Sequence, residues 1–290
     1  MRVLDKLIIK LYSIYNFLIY PRLRHIRGAT RLKSLLRKIG EVGYEGVDEN
    51  SVQLVKDLEW DNLIILDSCR YDIYSEIREA ENIEKRLSGG SSTVEFIKNN
   101  FSEPYDSDLV YVTAVYNHID PGRFRKLTGK KMDEVFAGVY DSSNYGWNED
   151  YLTTTPEGVL KAALEASEEY PGAKKIIHFR QPHYPFLDYD FDTDISIQDV
   201  ERGTKSINGK KINQITHLGY MNIVTDEELL GAYRANLKLV LPYLSKDNEE
   251  LEGKTLVTSD HGELLSGDPF YGHYTGSKLP KLREVPLEEL

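Results

Sequence analysis

Two stretches far apart in the chain have the same form, a run of apolar or β-branched residues that ends in an acid. Asn62-Leu63-Ile64-Ile65-Leu66 leads into Asp67, and Thr255-Leu256-Val257-Thr258-Ser259 leads into Asp260-His261-Gly262-Glu263. Runs of this kind, without alternation, predict strands buried on both faces, as in a parallel sheet, and ligands of such sheets bind outside the carboxyl ends of the strands. Asp67, Asp260 and His261 therefore fall where chemistry is expected. Two carboxylates and an imidazole brought together there are costly to bury without a counter-charge, and a divalent cation is the usual one. The first expectation is a metal site made of Asp67, Asp260 and His261. Its mixed carboxylate and imidazole chemistry suits Mn, Zn or Mg, with Ca less favoured by the imidazole.

These residues need a scaffold, and the rest of the chain supplies its pattern. Lys174-Lys175-Ile176-Ile177-His178-Phe179 reads as a third core strand, again with a histidine near its carboxyl end, and Leu109–Val112 and Val135–Val139 read as two more. A helix is expected over about 70–87 on the spacing of Ile73, Ile77, Ile83 and Leu87, and another from Thr93 towards Asn99 after the turn Ser88-Gly89-Gly90-Ser91-Ser92. Thr155 can cap a helix that opens at Pro156 and buries Val159, Leu160, Ala163 and Leu164. A further helix over about 226–244 carries Leu229, Leu230, Tyr233, Leu237 and Val240 at helical spacing. Residues 187–222 have no strong period and are expected to form an insertion over the site. Their alternate aspartates, Asp188, Asp190, Asp192 and Asp194, lack the glycine and distal glutamate of a calcium loop and read as a solvated edge. The fold class is α/β, a three-layer α/β/α sandwich with a mainly parallel central sheet. No Pro/Gly/Ser-rich linker divides residues 50–290, so the expected division is a basic amphipathic N-terminal helical extension, 1–50, and one catalytic domain, 51–290.

Val257-Thr-Ser-Asp-His-Gly-Glu263, with Asp67 ending an early strand and His178-Phe-Arg-Gln-Pro-His183-Tyr-Pro between them, resembles the alkaline phosphatase/sulfatase superfamily. The likeness is to the sulfatase-like proteins of archaea and the lipoteichoic-acid-synthase-like phosphotransferases, and it runs colinearly over about residues 58–287. The resemblance implies a hydroxyl nucleophile on the metal, at a helix start shortly after the first metal-binding aspartate. Ser91, Ser92 and Thr93 are the candidates. Ser92-x-x-Glu95 is also a capping box, which would occupy Ser92 and leave Ser91 free to face the metal, with Thr93 as the alternative. The resemblance further implies ester or leaving-group contacts from His183 and a metal- or substrate-binding role for His273. Arg70 reads either as a contact to the substrate anion or as a helix-start salt bridge to Asp72 or elsewhere, and His178 either lines the site as a substrate contact or is a satisfied core histidine. Cys69 lies in Cys69-Arg70-Tyr71-Asp72-Ile73, without the proline and arginine of a formylglycine sulfatase, and reads as a buried small hydrophobe. No Asp-x-x-x-His pair of the two-zinc phosphatases occurs between residues 100 and 260, so one metal is expected. The implied activity is that of a metal-dependent hydrolase or transferase of phosphate esters. Sulfate-ester hydrolysis through serine and a catalytically silent anion-binding member remain as alternatives.

Charge bounds the partners. The chain of 290 residues carries a net charge of −11. Residues 1–40 hold ten Lys/Arg and one acid, Asp5, so this arm is strongly basic and the remainder strongly acidic. An acidic body disfavours nucleic acid, whereas a basic arm suits an anionic membrane surface or a partner protein. Leu7–Pro21 is too short and interrupted to span a bilayer and lacks a signal-peptide cleavage site. It reads either as an interfacial amphipathic helix, with Arg22, Arg24 and Arg27 at the headgroups, or as a helix packed on protein. One cysteine excludes an intrachain disulfide framework and fits a reducing compartment, the cytoplasm, with peripheral contact at the inner membrane face as the arm's option.

Overall fold

The computed structural model describes residues 27–42, 44–80, 82–105, 108–202, 215–244, 251–266 and 270–290, with Leu7, Leu11, Tyr12, Tyr15, Thr204 and the strand pairs 206–207 and 210–211. The expected amphipathic stretch 7–21 lies for the most part outside the described residues. Helices of eight or more residues are α1 (Arg27–Gly40), α2 (Tyr71–Arg78), α3 (Thr93–Phe101), α4 (Pro121–Thr128), α5 (Pro156–Glu169) and α6 (Asp226–Val240). The main sheet contains β1 (Asn62–Leu66), β2 (Glu84–Leu87), β3 (Leu109–Thr113), β4 (Gly138–Asp141), β5 (Lys174–Phe179), β6 (Thr255–Ser259) and β7 (Glu284–Glu289). Among the described residues, no helix is long and apolar enough to cross a membrane.

The seven strands lie in the order β2-β7-β6-β1-β5-β3-β4. β6, β1, β5, β3 and β4 run parallel, and β7 and β2 extend the sheet with antiparallel pairings. Helices flank this sheet in an α/β sandwich. β1 is buried at every position, as a central parallel strand must be. Its side chains alternate between faces. Leu63 and Ile65 join Phe96, Ile97 and Phe101 of α3 and Phe124 of α4 in one core cluster with Tyr111 and Ile176. Burying each of these large side chains contributes about 2 kcal/mol. α5 packs on β3, β4 and β5. Its N-cap is Thr155, whose side chain accepts from the Gly158 amide, and Pro156 opens the first turn.

The chain divides into two compact units. The larger, Val47–Asp190 with Ala232–Glu263 and His273–Leu290, holds the sheet. The smaller draws on residues 1–46, 191–231 and 264–272, so it takes in most of the 187–222 segment as well as the N-terminal region.

Three elements differ from the sequence expectation. The helix expected over 70–87 ends at Arg78, where Glu79 turns into the left-handed region at φ 51°, and Glu84–Leu87 is strand β2. Pairing of β2 with β7 decides this, a tertiary interaction that overrides helical spacing. The strand expected at Val135–Val139 starts later, at Gly138, because Val135 and Phe136 serve the core cluster from a turn. The helix expected to Leu244 stays α-helical to Val240 and tightens into a 3-10 turn over Leu241–Leu244, which contains Pro242.

Candidate metal centre

Strand register brings the site together. Leu66 lies opposite Ser259 on one side and Phe179 on the other, so the residues that follow, Asp67, Asp260 and Arg180, leave the sheet at one level. Asp67, Asp260 and His261 offer ligand atoms that all lie within 4.8 Å of one another, and all three are buried. His261 Nε2 stands 3.7 Å from Asp67 Oδ1 and 3.4 Å from Asp260 Oδ2. His261 Nδ1 lies 2.8 Å from the Gly262 carbonyl, which can only accept, so the proton sits on Nδ1 and Nε2 presents its lone pair.

A second group adjoins the first. His183, Glu263 and His273 also have ligand atoms within 4.8 Å of one another. Glu263 Oε2 is 3.0 Å from His273 Nδ1 and 3.8 Å from His183 Nε2, and the His261 and His273 rings are 4.2 Å apart between centroids. One group was expected from sequence, and the ligand-type side chains form two. Glu263, three positions after Asp260, joins the second group through its carboxylate.

The electrostatics favour cations. Burial pushes the Asp67 carboxyl up to about 6, with the Asp260 charge adding to it and Arg180 and His261 opposing. Burial likewise raises Asp260 to about 6, against the Ser68 amide and the Thr93 hydroxyl, and raises Glu263 to about 7. His261 is lowered to about 4 by burial and by His273, and His183 well below its ordinary value by burial and by Arg180. Three buried carboxylates thus face neutral imidazoles and one guanidinium. Among the described residues, neither Asp260 Oδ2 nor Glu263 Oε1 takes part in a hydrogen bond of good geometry. Buried carboxylate oxygens beside imidazole nitrogens are the donor set of a divalent transition metal or Mg, so these residues fit the implied ion.

The nucleophile candidates separate clearly. Ser92 is the N-cap of α3, and its hydroxyl accepts from the Glu95 amide. Glu95 does not reach back to Ser92; its carboxylate accepts from the Ser91 amide and hydroxyl, at 2.9 and 2.8 Å. The Ser91 hydroxyl also contacts the Tyr274 carbonyl and accepts from the Ser277 amide. Ser91 is thereby engaged in tying the turn to residues 274–277. Thr93 lies against the first group: its Oγ1 is 3.2 Å from His261 Nε2.

Other candidates are also resolved by their partners. Arg70 pairs with Asp72 through Nε at 2.9 Å and through a second, closer contact, so the salt bridge prevails over an anion contact. His178 is fully buried, bonded through Nδ1 to the Tyr111 hydroxyl, and its Nε2 lies 3.9 Å behind Asp260 Oδ2. Cys69 is fully buried, and burial raises its thiol well above the ordinary value.

Several residues of the arrangement carry no sequence signal of the kind that marked Asp67. Arg180 donates to Asp67 Oδ2 at 3.1 Å and to the Tyr184 carbonyl at 3.1 Å. Ser68 adopts a left-handed backbone, φ 64°, and from there its amide reaches Asp260 Oδ1 and its hydroxyl Asp67 Oδ1. Such strain, of order 1–3 kcal/mol, concentrates at functional sites. Two side chains one helical turn apart on α6 hold the loops: Tyr233 bonds the Arg70 amide and the Ser68 carbonyl, and Asn236 donates to the carbonyls of Pro182, His183 and Pro185. Gly90 lets the turn approach α3, since a Cβ there would lie 2.4 Å from the Phe96 backbone nitrogen. Gly90→Ala should lower stability by about 1–3 kcal/mol, read from denaturant midpoints. An unchanged midpoint would show that the turn has room to move.

The sequence matches no family model and no curated protein. Its fold is similar to that of the integral membrane protein lipooligosaccharide phosphoethanolamine transferase A from Neisseria meningitidis, at 16% identity and TM-score 0.50, over 90% of this chain and 53% of that one. The chain thus spans about half of that protein's length. The soluble domain of the same transferase matches at 15% identity and TM-score 0.49, over 78% of this chain and 74% of that one. The periplasmic domain of phosphoethanolamine transferase EptC from Campylobacter jejuni matches at 14% and 0.48, over 79% and 78%. At such identities the likeness is one of fold alone: the chain shares the mainly parallel α/β sandwich of the Neisseria meningitidis transferase, with Asp67 and Asp260 at level strand ends of the sheet.

Proposed function

We propose that this protein is a metal-dependent enzyme of phosphate esters that uses Thr93 as its nucleophile. The observation that carries the reading is the Thr93 hydroxyl, at the first position of α3 and 3.2 Å from His261 Nε2, beside the buried Asp67, Asp260 and His261. A divalent ion held by Asp67, Asp260 and His261 would supply Lewis acidity toward the ester and lower the pKa of the adjacent hydroxyl. The remaining steps belong to the chain's own groups. The amides of the first turn of α3 favour the phosphoryl oxygens, as helix N-termini do. Thr93 Oγ1 forms a bond to phosphorus while the bond from phosphorus to the ester oxygen breaks, and the hydroxyl proton ends on the departing alcohol. His273, bonded to Glu263 and a quarter exposed, is the group suited to deliver that proton. Water or an acceptor alcohol then attacks the phosphothreonine and restores Thr93, which makes the enzyme a hydrolase or a transferase according to the acceptor.

Phosphorus is preferred to sulfur because attack by a metal-activated hydroxyl needs no formylglycine, and Cys69 is fully buried and lacks the proline and arginine of that motif. The fold neighbour's name, phosphoethanolamine transferase, agrees with this preference. The test is metal analysis of the purified chain, followed by nitrophenyl phosphate mono- and diesters and nitrophenyl sulfate, each with and without chelator. Phosphate-ester turnover that disappears with chelator and returns with Zn or Mn is expected. Turnover of the sulfate alone would reverse the choice of substrate, and a metal-loaded protein inert to all three would favour a silent, anion-binding protein.

A further inference from the structure

Helix α1 lies far in sequence from these motifs, and its composition is one-sided. Arg27, Arg31, Lys33, Arg37 and Lys38 fall within its 14 residues, which include no acid. One face packs within the smaller unit. Gly40 sits against the Phe270 ring, where a Cβ would meet Cζ at 2.3 Å. Arg37 Nε donates to the Tyr12 hydroxyl at 3.0 Å, and the Tyr12 ring rests on Phe270 at 4.7 Å between centroids.

The other face is apolar and open. Leu32, Leu35 and Ile39 are 43%, 52% and 42% exposed, and at 3.6 residues per turn they lie within about 60° of one another. Arg31 and Lys38 are exposed on the flank of this stripe. A helix with an open leucine/isoleucine stripe edged by bases has the pattern of one that lies in a lipid interface, its apolar side chains below the headgroups and its cations among them. It cannot span: fourteen residues make about 21 Å, short of the roughly 30 Å of hydrocarbon.

We propose that this face of α1 docks on an anionic lipid surface. Charge selects the occupant. A second copy of the chain would set one basic face against another, an opposition that costs association. Nucleic acid would match the bases and leave the leucine stripe in water. Anionic headgroups over acyl chains match both, and in a chain of net charge −11 a helix of five bases and no acid is the kind of segment such a surface attracts. The proposal stands apart from the reading of the metal centre, since it invokes no residue of it.

Co-sedimentation of the full chain with phosphatidylcholine vesicles, with and without about one-third phosphatidylglycerol, tests it. Binding to the anionic vesicles, weak binding to the neutral ones and release by high salt are expected. The Leu32→Ser/Leu35→Ser/Ile39→Ser variant should bind at least about tenfold more weakly. Because these side chains are exposed, its thermal melt should match the parent. Arg31→Gln/Lys38→Gln should weaken binding several-fold and flatten its salt dependence, and this pair keeps the test decisive if the serine variant folds poorly. Anionic-vesicle binding that is absent in the parent, or unchanged in both variants, overturns the proposal. So does a dimer in solution that the serine variant converts to monomer while vesicle binding stays the same.

Discussion

Thr93→Ala should lower phosphate-ester turnover by several orders of magnitude while the protein remains folded and binds metal. The loss is that of a covalent nucleophile, for which single substitutions remove most of the rate enhancement. Asp67, Asp260 and His261 are all retained; they lose only the Thr93 hydroxyl contact and still converge. Thr93→Ser, which keeps the hydroxyl, should retain a measurable part of the rate. Ser91→Ala provides the contrast. It deletes contacts to Glu95, to the Tyr274 carbonyl and to the Ser277 amide, so it should cost about 1–3 kcal/mol of stability and little turnover per folded molecule. Rapid-quench trapping of phosphoprotein, with peptide mapping to residue 93, is the direct measurement. If Ser91→Ala is the inactive variant and Thr93→Ala turns over normally, the nucleophile lies two residues earlier than its contacts indicate. If both remain active, water attacks the ester directly and no phosphoenzyme forms.

The contrast between Ser91 and Thr93 also shows where sequence reading stops. Strand-end acids are legible because an unbroken apolar run followed by Asp is a pattern in one dimension, and Asp67, Asp260 and His261 all read out in that way. The choice among three adjacent hydroxyls is made by a rotation of about 100° per residue at the start of α3, together with the approach of residues 274–277. That approach is a long-range contact, separated from Ser91 by more than 180 positions. Arg180 went unread for a related reason. Only the register of β5 against β1 reveals that the residue after Phe179 stands level with Asp67. Glu263 is legible in principle, since an acid three residues after Asp260 is a visible pattern; the second group joins Glu263 to His183 and His273 and contains no Asp-x-x-x-His pair. The error at 70–87 has a different origin. Ile73 and Ile77 belong to a helix, and Ile83 and Leu87 prolong the spacing by coincidence across a left-handed break at Glu79.

Asp260→Asn should weaken divalent-metal binding by at least about a hundredfold and, with the metal chelated, make the protein more stable at pH 7.5. The two effects have one cause. In the metal-free protein Asp260 titrates at about 6, up from 3.8, chiefly through burial. An acid whose folded pKa is raised binds more protons folded than unfolded between those values, so its charge is a penalty that grows as pH rises through the window and is complete above about 6. The shift corresponds to about 3 kcal/mol. Asparagine removes the charge and keeps the shape. Its Oδ1 can still accept from the Ser68 and His261 amides, and its Nδ2, in place of the unpaired Oδ2, would point a donor at His261 Nε2, 3.4 Å away. Thermal melts of parent and variant in chelator should therefore diverge at pH 7.5, with the variant higher, and converge as pH falls toward 4. Added Zn or Mn should reverse the order at pH 7.5, because only the parent gains the stabilisation of a filled site. A variant less stable than the parent in chelator at pH 7.5 would mean that hydrogen bonds to the carboxylate outweigh its burial, and that Asp260 is held charged for structural reasons without a metal.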